Sequence, residues 1–149
     1  MRAVVQRVSR ACVCVDGEMA GEIGPGLCVL IGISTKDKEA DALWMSEKLL
    51  NLRILNDLQD KPNLSIRETG GAILLISQFT LLGDARTGRR PSYTEAAKPE
   101  HARPLFDRLA ELCREGGTVC ATGRFGAHMQ VELVNDGPFT ILLDSAKLF

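Results

Sequence analysis

The chain has 149 residues, of which 45% are hydrophobic and 25% are charged, and its formal net charge is −1. This length fits one globular domain with a single core, and we expect residues 1–149 to form it. The small net charge excludes a protein that coats nucleic acid non-specifically, so any affinity for RNA must come from a local patch. The sequence has neither an apolar run long enough to span a bilayer nor a signal segment at its start, which predicts a cytoplasmic protein that binds no membrane.

The cysteines favour reduced thiols in a cytoplasmic protein. There are five of them, at positions 12, 14, 28, 113 and 120. Their odd number and the lack of a C-x-x-C pair argue against a disulfide framework and against a zinc site. We therefore predict a protein without a metal ion or another cofactor.

The first half of the chain predicts strands and one helix. Alternating or continuous apolar runs predict strands at residues 2–15, 27–33 and 72–76, and a short strand is expected around residues 18–23. Asp16-Gly17 is a strong signal for a hairpin between the first two strands. Helical spacing of the apolar residues predicts an amphipathic helix over residues 36–52, which Ser34 or Thr35 can cap. The mostly polar residues 55–70 predict a loop.

The second half predicts a long loop, a second helix and further strands. Residues 83–100 contain glycines, prolines and arginines, which is typical of an exposed loop. The helix that follows has an apolar face and ends at Gly116-Gly117, while Pro104 leaves its first residue open. The remaining strands are expected at residues 118–122, 130–134 and 139–143, with residues 135–138 as a turn between the last two. The predicted fold is α/β: a curved, largely antiparallel sheet or open barrel with two packed helices.

Familiar catalytic constellations are missing from the sequence. There is no phosphate-binding G-x-x-x-x-G-K-[ST] loop, no G-x-G-x-x-G after a strand and no G-x-S-x-G nucleophile elbow. The two histidines, His101 and His128, stand apart from each other and form no metal-binding pair. Ser77 and Thr80 offer hydroxyl groups without an obvious base to activate them. If the protein is a hydrolase, its general base is therefore not expected to be a protein side chain.

Three segments are chemically distinctive, and each has two interpretations. Residues 77–81, Ser-Gln-Phe-Thr-Leu, place polar groups at the end of a buried strand, either as a site or as a strand edge whose hydroxyls satisfy nearby backbone. Residues 135–138, Asn-Asp-Gly-Pro, are compatible with a functional motif or a plain tight turn. The arginines of residues 86–90 form either a solvated charge run or a phosphate-binding patch.

Seven short motifs follow one another along essentially the whole chain. They lie at residues 1–8, 51–54, 70–71, 77–81, 88–93, 122–129 and 135–140. In this order and spacing they resemble the D-aminoacyl-tRNA deacylase family, and the ordered set is far more specific than any one motif. Leu55 and Phe139 stand where Phe and Val are commoner in the family, and Pro62 is atypical. These departures affect the expected shape of the pocket wall and leave the expected activity unchanged.

The resemblance implies an enzyme that hydrolyses the ester bond of D-aminoacyl-tRNA, releasing free D-amino acid and tRNA and rejecting L-aminoacyl-tRNA. It implies a homodimer with two sites at the interface. The catalytic groups it implies are Ser77, Gln78, Phe79 and Thr80. Backbone amides near Phe79 and Thr80 would stabilise the oxyanion, while Gln78 and Thr80 would orient the ester and water. Activation of that water would involve the neighbouring 2′-OH of the terminal adenosine, which fits the missing base.

The same resemblance assigns chiral selection to Gly137 and Pro138, which reach into the site of the other subunit. It implies that their peptide bond is cis and that their carbonyl groups clash with any L side chain. Glycine has no side chain, so mischarged glycyl-tRNA should not be fully excluded. Arg7 is the candidate for holding the Gly-Pro turn, and Phe125 and Met129 are expected to bind substrate.

Residues Arg86, Arg89 and Arg90 are expected to bind tRNA phosphates. Two other functions remain compatible with the residues alone. One is a non-catalytic RNA-binding module that uses these arginines, although a binder of phosphates would not need the Ser-Gln-Phe-Thr-Leu and Gly-Pro motifs. The other is a small oligomeric barrel acting on a free metabolite, in which case tRNA would be irrelevant to turnover.

Overall fold

The computed structural model describes residues 1–149 as eight strands and three α-helices. The strands are β1 (Arg2–Val15), β2 (Glu18–Ile23), β3 (Gly26–Gly32), β4 (Leu55–Asn56), β5 (Pro62–Leu64), β6 (Ala72–Ser77), β7 (Val119–Thr122) and β8 (Met129–Asp144). The helices are α1 (Glu39–Asn51), α2 (Ile66–Thr69) and α3 (Pro99–Glu115). A 3₁₀ turn, Phe79–Leu82, follows β6. No helix has both the length and the apolar character that a membrane crossing requires.

Strand β1 organises the main sheet, whose order is β2-β1-β3-β6-β7, with β8 also paired to β1. One edge of β1 is shared by two antiparallel neighbours, β3 along residues 2–8 and β2 along residues 11–15. The other edge pairs with β8 along nearly its whole length. β1 has fourteen consecutive extended residues, and this length allows it to pair with three other strands. It is rich in valine, whose β-branched side chain favours the pleated backbone.

The two long helices are the crossovers of the parallel part of the sheet. β6 lies parallel to β3 and β7 lies parallel to β6, and parallel neighbours need a long connection between them. Helix α1 belongs to the connection from β3 to β6, and helix α3 to the connection from β6 to β7. The sheet is therefore antiparallel around β1 and parallel between β3, β6 and β7.

The sheet curls until it is nearly a closed barrel. β2 approaches β7 so closely that a Cβ on Gly21 would lie 2.8 Å from the carbonyl oxygen of Thr122. The barrel interior is a small apolar cluster to which β1 contributes Val8 and Val13 and β6 contributes Leu74. The larger core lies on the opposite face of β3 and β6, where helices α1 and α3 pack. The predicted α/β class and curved sheet with two packed helices are confirmed.

Two local predictions in the first half need correction. Helix α1 begins at Glu39 and not at residue 36, and neither Ser34 nor Thr35 caps it. Its N-cap is Lys38, whose amide donates to the Asp41 carboxylate at 2.8 Å. Residues 55–70, predicted as a loop, contain the β4–β5 hairpin and the single-turn helix α2. Short elements of this kind depend on side-chain caps more than on hydrophobic periodicity, which explains why the pattern missed them.

The predicted turn at residues 135–138 is wrong. β8 runs through it as one strand from Met129 to Asp144. Gln6 pairs with Thr140 and Val8 with Asn135, so residues 136–139 stand opposite Arg7 alone and form a wide bulge. Pro138 is tolerated inside this strand because bulge residues do not have to donate to the ladder.

Candidate active site

A cavity of about 590 Å³ opens at the carboxyl ends of the parallel strands β3 and β6. This is the edge of an α/β sheet where ligands generally bind, and the volume lies within the usual range for a small-molecule site of about 300–1,000 Å³. Four parts of the chain meet there: the ends of β3 and β6, the segment before α3, the first turn of α3, and the segment that leads into β8. The lining includes Ile31, Ile33, Ile76, Ser77, Gln78, Phe79, Tyr93, Ala96, Ala97, Lys98, Pro99, Ala102, Phe125, Gly126, Ala127, His128, Met129 and Val131.

The 3₁₀ turn after β6 presents backbone amides beside this cavity. The amide of Gln78 donates to Ile31 O on β3 at 2.7 Å, which continues the β3–β6 pairing beyond the strand end. The turn closes when Leu81 N donates to Gln78 O at 3.2 Å. The amides of Phe79 and Thr80 precede that bond and therefore lack an acceptor within the turn. The Gln78 side-chain amide donates to the Thr80 hydroxyl, so these two side chains act as a pair.

Gly32 allows the turn to pack directly on β3. A Cβ at this position would collide with the Leu82 side chain and would lie 3.0 Å from Gln78 O. The side chain of Arg2 fixes the turn from another direction, because its Nη1 donates to Leu81 O at 3.2 Å while its Nε donates to Asp144 at 3.0 Å. The turn is therefore held by neighbours on β3 and β1, and Asp144 of β8 orients the Arg2 side chain.

Aromatic rings form two walls of the cavity. Phe79 is 57% exposed and packs edge-to-face on Tyr93, with ring centroids 5.2 Å apart. The second wall is Phe125, which packs on the buried Phe106 of α3 with ring centroids 5.8 Å apart. Twelve of the 18 lining residues are hydrophobic, so a ligand here would be held mainly by apolar contact and oriented by a few polar groups.

The cavity lining contains a lysine cation and a histidine but no carboxylate. Its lining contains neither Asp nor Glu, while Lys98 and His128 are both present. Both residues are exposed. Nowhere does the structure bring together three or more His, Cys, Asp or Glu side chains that could hold a metal ion. The polar groups that can face a substrate are thus backbone amides, hydroxyls and cations, a set suited to stabilising developing negative charge.

Arg7 lies opposite the bulge in β8 and is buried, with 5% of its surface exposed. Its Nε donates to Asp136 O at 2.9 Å and its Nη2 to Gly137 O at 3.4 Å. Its Nη1 donates to Ile54 O and to Asn56 Oδ1, both at 2.8 Å. The guanidinium carbon also lies 4.3 Å from the centroid of the Phe139 ring. A buried guanidinium with this many acceptors is a rigid support for the bulge.

The Gly137-Pro138 peptide bond is cis, and both residues are exposed. The side-chain amide of Asn135 donates to Arg7 O at 2.8 Å and to Phe139 O at 3.2 Å, so it ties the two ends of the bulge together. A Cβ on Gly137 would meet only Asn135 Oδ1, at 3.5 Å, which leaves the glycine open to the outside. Neither Gly137 nor Pro138 lines the cavity of its own chain.

The arginines of residues 86–90 lie in an exposed loop outside the cavity. Asp84 and Ser92 close the base of this loop through two backbone hydrogen bonds of 2.8 Å. Arg86 is already engaged, because its Nε and Nη2 donate to the two carboxylate oxygens of Asp84 at 2.9 and 2.6 Å. These bonds hold the pKa of the Asp84 carboxyl well below its usual value. Arg89 and Arg90 form no ion pair.

The structure thus brings together five of the residues that the sequence marked for a site. Ser77, Gln78, Phe79, Phe125 and Met129 line one cavity, and Thr80 contacts Gln78 at its edge. Arg7, Gly137 and Pro138 form a second group at the β1–β8 bulge. Arg86, Arg89 and Arg90 form a third group, in the exposed loop.

Sequence reasoning missed the cavity residues supplied by the segment before α3 and by its first turn. Tyr93 and His128 stand inside recognised motifs but received no role, whereas Lys98 and Ala102 belong to no motif. The only signal for Lys98 and Ala102 is their place at the start of an amphipathic helix, which indicates burial but not a cavity.

Comparison with known proteins identifies the same family as the motifs do. The profile of the family described as D-Tyr-tRNA(Tyr) deacylase matches residues 4–144. A D-aminoacyl-tRNA deacylase of Symbiobacterium thermophilum is 57% identical over 149 residues, covering 100% of this chain and 99% of that protein. One of Kosmotoga olearia is 59% identical over 149 residues and covers 100% of both chains. The solved structure of a c-Myc DNA unwinding element binding protein superposes with a TM-score of 0.90 at 40% identity, covering 97% of this chain and 98% of that one.

Proposed function

Because the chain belongs to the D-Tyr-tRNA(Tyr) deacylase family and is a hydrolase that acts on charged tRNA, we propose that it cleaves the ester bond of D-aminoacyl-tRNA, releasing free D-amino acid and tRNA. The observation that carries this proposal is the apolar cavity bordered by the Phe79 and Thr80 amides. The cavity suits an aminoacylated nucleoside, and the amides suit the oxyanion of an ester under attack. Charged tRNA is a cytoplasmic substrate, so we assign the activity to the cytoplasm.

In the proposed reaction, water attacks the carbonyl carbon of the ester. The amides of Phe79 and Thr80 stabilise the negative charge that develops on the carbonyl oxygen, and the Gln78–Thr80 pair orients the ester and the water. The bond to the ribose oxygen then breaks, and that oxygen takes up a proton as tRNA leaves. The cavity offers no carboxylate and only the exposed His128 as a possible base, so we assign activation of the water to the adjacent ribose hydroxyl of the substrate.

We propose that Gly137 and Pro138 exclude L-amino acids from the site of a second copy of the chain. Their exposure and their absence from the cavity of their own chain support this arrangement. Arg7 and Asn135 would hold the bulge so that its backbone carbonyls meet the substrate at its α-carbon. A rigid carbonyl pair can reject an L side chain by clash, which discriminates more strongly than the absence of a favourable interaction. Mischarged glycyl-tRNA would not be rejected by such a clash and would also be hydrolysed.

The test is a hydrolysis assay with D-Tyr-tRNA, L-Tyr-tRNA and the ethyl ester of D-tyrosine. Rapid release of D-tyrosine from D-Tyr-tRNA, with little release from the other two, is the expected result. Equal hydrolysis of both tRNAs would remove the chiral role. Hydrolysis of the free ester that is as fast as that of D-Tyr-tRNA would indicate an enzyme of small metabolites. Binding of tRNA without any turnover would indicate an RNA-binding module.

A further inference from the structure

Three cations lie in the lining of the cavity or next to residues that line it. Lys98 lines the cavity directly, and Arg103 lies one helical turn after the lining residue Pro99. Arg124 is exposed and immediately precedes the wall residue Phe125. None of the three forms an ion pair. The cavity is therefore bordered by positive charge at these residues.

The charge distribution here differs from that of the chain as a whole. Lysine and arginine number 18 against 19 aspartate and glutamate residues, yet the lining of the cavity contains no carboxylate. Glu95, which lies before α3, is paired with Lys36 at 3.7 Å. The first turn of α3 contains one acidic residue, Glu100. Farther along the same helix, Arg108 is surrounded by Glu39, Glu111 and Glu115 at 3.0–3.4 Å. Lys98 and Arg103 are thus cations without an acidic partner at the end of α3 that meets the cavity.

Arg103 is held in place without being neutralised. Its guanidinium carbon lies 5.3 Å from the centroid of the Phe125 ring, and its Nη2 donates to Phe125 O at 3.4 Å. Stacking on an aromatic ring fixes the plane of the guanidinium and leaves its remaining N–H groups free. Such a preorganised fork matches the geometry of phosphate oxygens. The ring on which Arg103 stacks is also a wall of the cavity, so the fork and the bound nucleoside would be positioned together.

We propose that Lys98, Arg103 and Arg124 bind the phosphodiester groups of the single-stranded 3′ end of tRNA, next to the nucleoside that carries the amino acid. This inference rests on the proposed function, because it assumes that the aminoacylated nucleoside occupies the cavity. The α3 side would then guide the acceptor strand into the site. Arg89 and Arg90 belong to a different loop and do not line the cavity.

The experiment compares two substrates that differ in their phosphates: D-Tyr-tRNA and the 3′-ester of D-tyrosine with adenosine. The variants are Lys98→Gln, Arg103→Gln, Arg124→Gln and their combination, with Lys61→Gln as an exposed, unpaired control cation outside the cavity lining. Each single variant should lower the ratio of kcat/KM for D-Tyr-tRNA to kcat/KM for the adenosine ester about fivefold. The plot of log kcat/KM for tRNA against log salt concentration should become shallower by about 0.7 for each cation that no longer binds a phosphate.

The outcomes separate the two proposals. If the unmodified protein hydrolyses neither substrate, the proposed function fails before the phosphate-binding cations are tested. If it hydrolyses both but the combined variant keeps the original ratio and salt slope, the phosphate-binding surface is wrong. If the ratio falls equally in Lys61→Gln, the loss of one positive charge anywhere on the protein would explain the effect, and this result would also contradict the proposal. Arg124→Gln keeps the test informative if replacement of Arg103 disturbs the Phe125 wall, because Arg124 makes no side-chain hydrogen bond.

Discussion

The thiol of Cys28 lies in the barrel interior, where burial raises its pKa from 9.0 to about 11. A thiol with a raised pKa stays protonated in the folded chain while the unfolded chain releases its proton at lower pH. Its contribution to stability is complete below pH 9 and is lost as the pH rises toward 11. A difference of two pKa units corresponds to about 3 kcal/mol at most.

We therefore expect the free energy of unfolding to fall between pH 9 and pH 11, and to fall less steeply in Cys28→Ala. Denaturant unfolding at a series of pH values measures this slope. Cys14→Ala is the matched control, since Cys14 is only half-buried. The small cavity created by Cys28→Ala lowers stability at neutral pH, but it does so equally across the pH range. An unchanged alkaline slope in Cys28→Ala would contradict the prediction.

Gly137 separates the requirements of folding from those of function. A Cβ there would make one ordinary contact of 3.5 Å with Asn135 Oδ1, so Gly137→Ala should shift Tm by no more than about 2 °C. If the bulge closely approaches the substrate in a second subunit, the added methyl group should lower kcat/KM for D-Tyr-tRNA about 100-fold. Gly24→Ala is the control, because a Cβ at Gly24 meets nothing within 4 Å. Equal activity of the two variants would remove Gly137 from the site.

At the scale of elements, hydrophobic periodicity predicted the long strands and helices. It failed where hydrogen bonds from individual side chains determine the local backbone structure. Strands β1 and β3 and the two long helices follow the expected apolar patterns, and β2 follows the predicted Asp16-Gly17 hairpin turn. Asn135-Asp136-Gly137-Pro138 has the composition of a turn, yet β1 is long enough to pair with the residues on both sides of it. The buried Arg7 and the side chain of Asn135 then satisfy the bulge backbone, a long-range arrangement that no local pattern contains.

The loop between Asp84 and Ser92 contains one arginine that is engaged in an ion pair, Arg86, and two that are not, Arg89 and Arg90. We expect Arg89→Ala and Arg90→Ala to raise KM for charged tRNA and to reduce its salt dependence by about 0.7 in log–log slope each. Arg86→Ala should have a smaller effect, because the Nε and Nη2 of Arg86 already donate to Asp84. Steady-state kinetics over a range of salt concentrations measure both quantities. A fall in kcat with KM unchanged would instead assign the loop to the reacting centre.

Two groups of residues to which we assign a function lie apart within one chain. Motif residues from 77–79 and from 125 and 129 meet in one cavity, as the resemblance leads one to expect of a shared site. The remaining walls include Ile31, which the β3–β6 pairing places beside Ser77, and Tyr93 and Ala102, which come from the segment before α3 and from its first turn. That part of the site depends on the tertiary fold, and a single sequence does not reveal it. The Gly137-Pro138 bulge, exposed and outside this cavity, is the feature that only a second chain could bring to it.

A homodimer with shared sites predicts that two defective variants restore each other. The double variant Gln78→Ala, Thr80→Ala damages the cavity, and Gly137→Ala damages the bulge. In a heterodimer of the two, the intact cavity of one chain faces the intact bulge of the other. One of the two sites of each heterodimer would therefore be intact, so a sample that contains only heterodimers would recover about half of the normal sites.

The two variants should be co-expressed with different affinity tags, purified through both tags, and assayed with D-Tyr-tRNA against each variant alone. Light scattering should give twice the chain mass of 16.2 kDa for all of them. Activity in the doubly purified sample that does not exceed the mean of the two parents would show that each cavity works with its own chain alone. A fully active protein of 16.2 kDa would exclude the dimeric site altogether, because the exposed Gly137 and Pro138 would then have no cavity to enter.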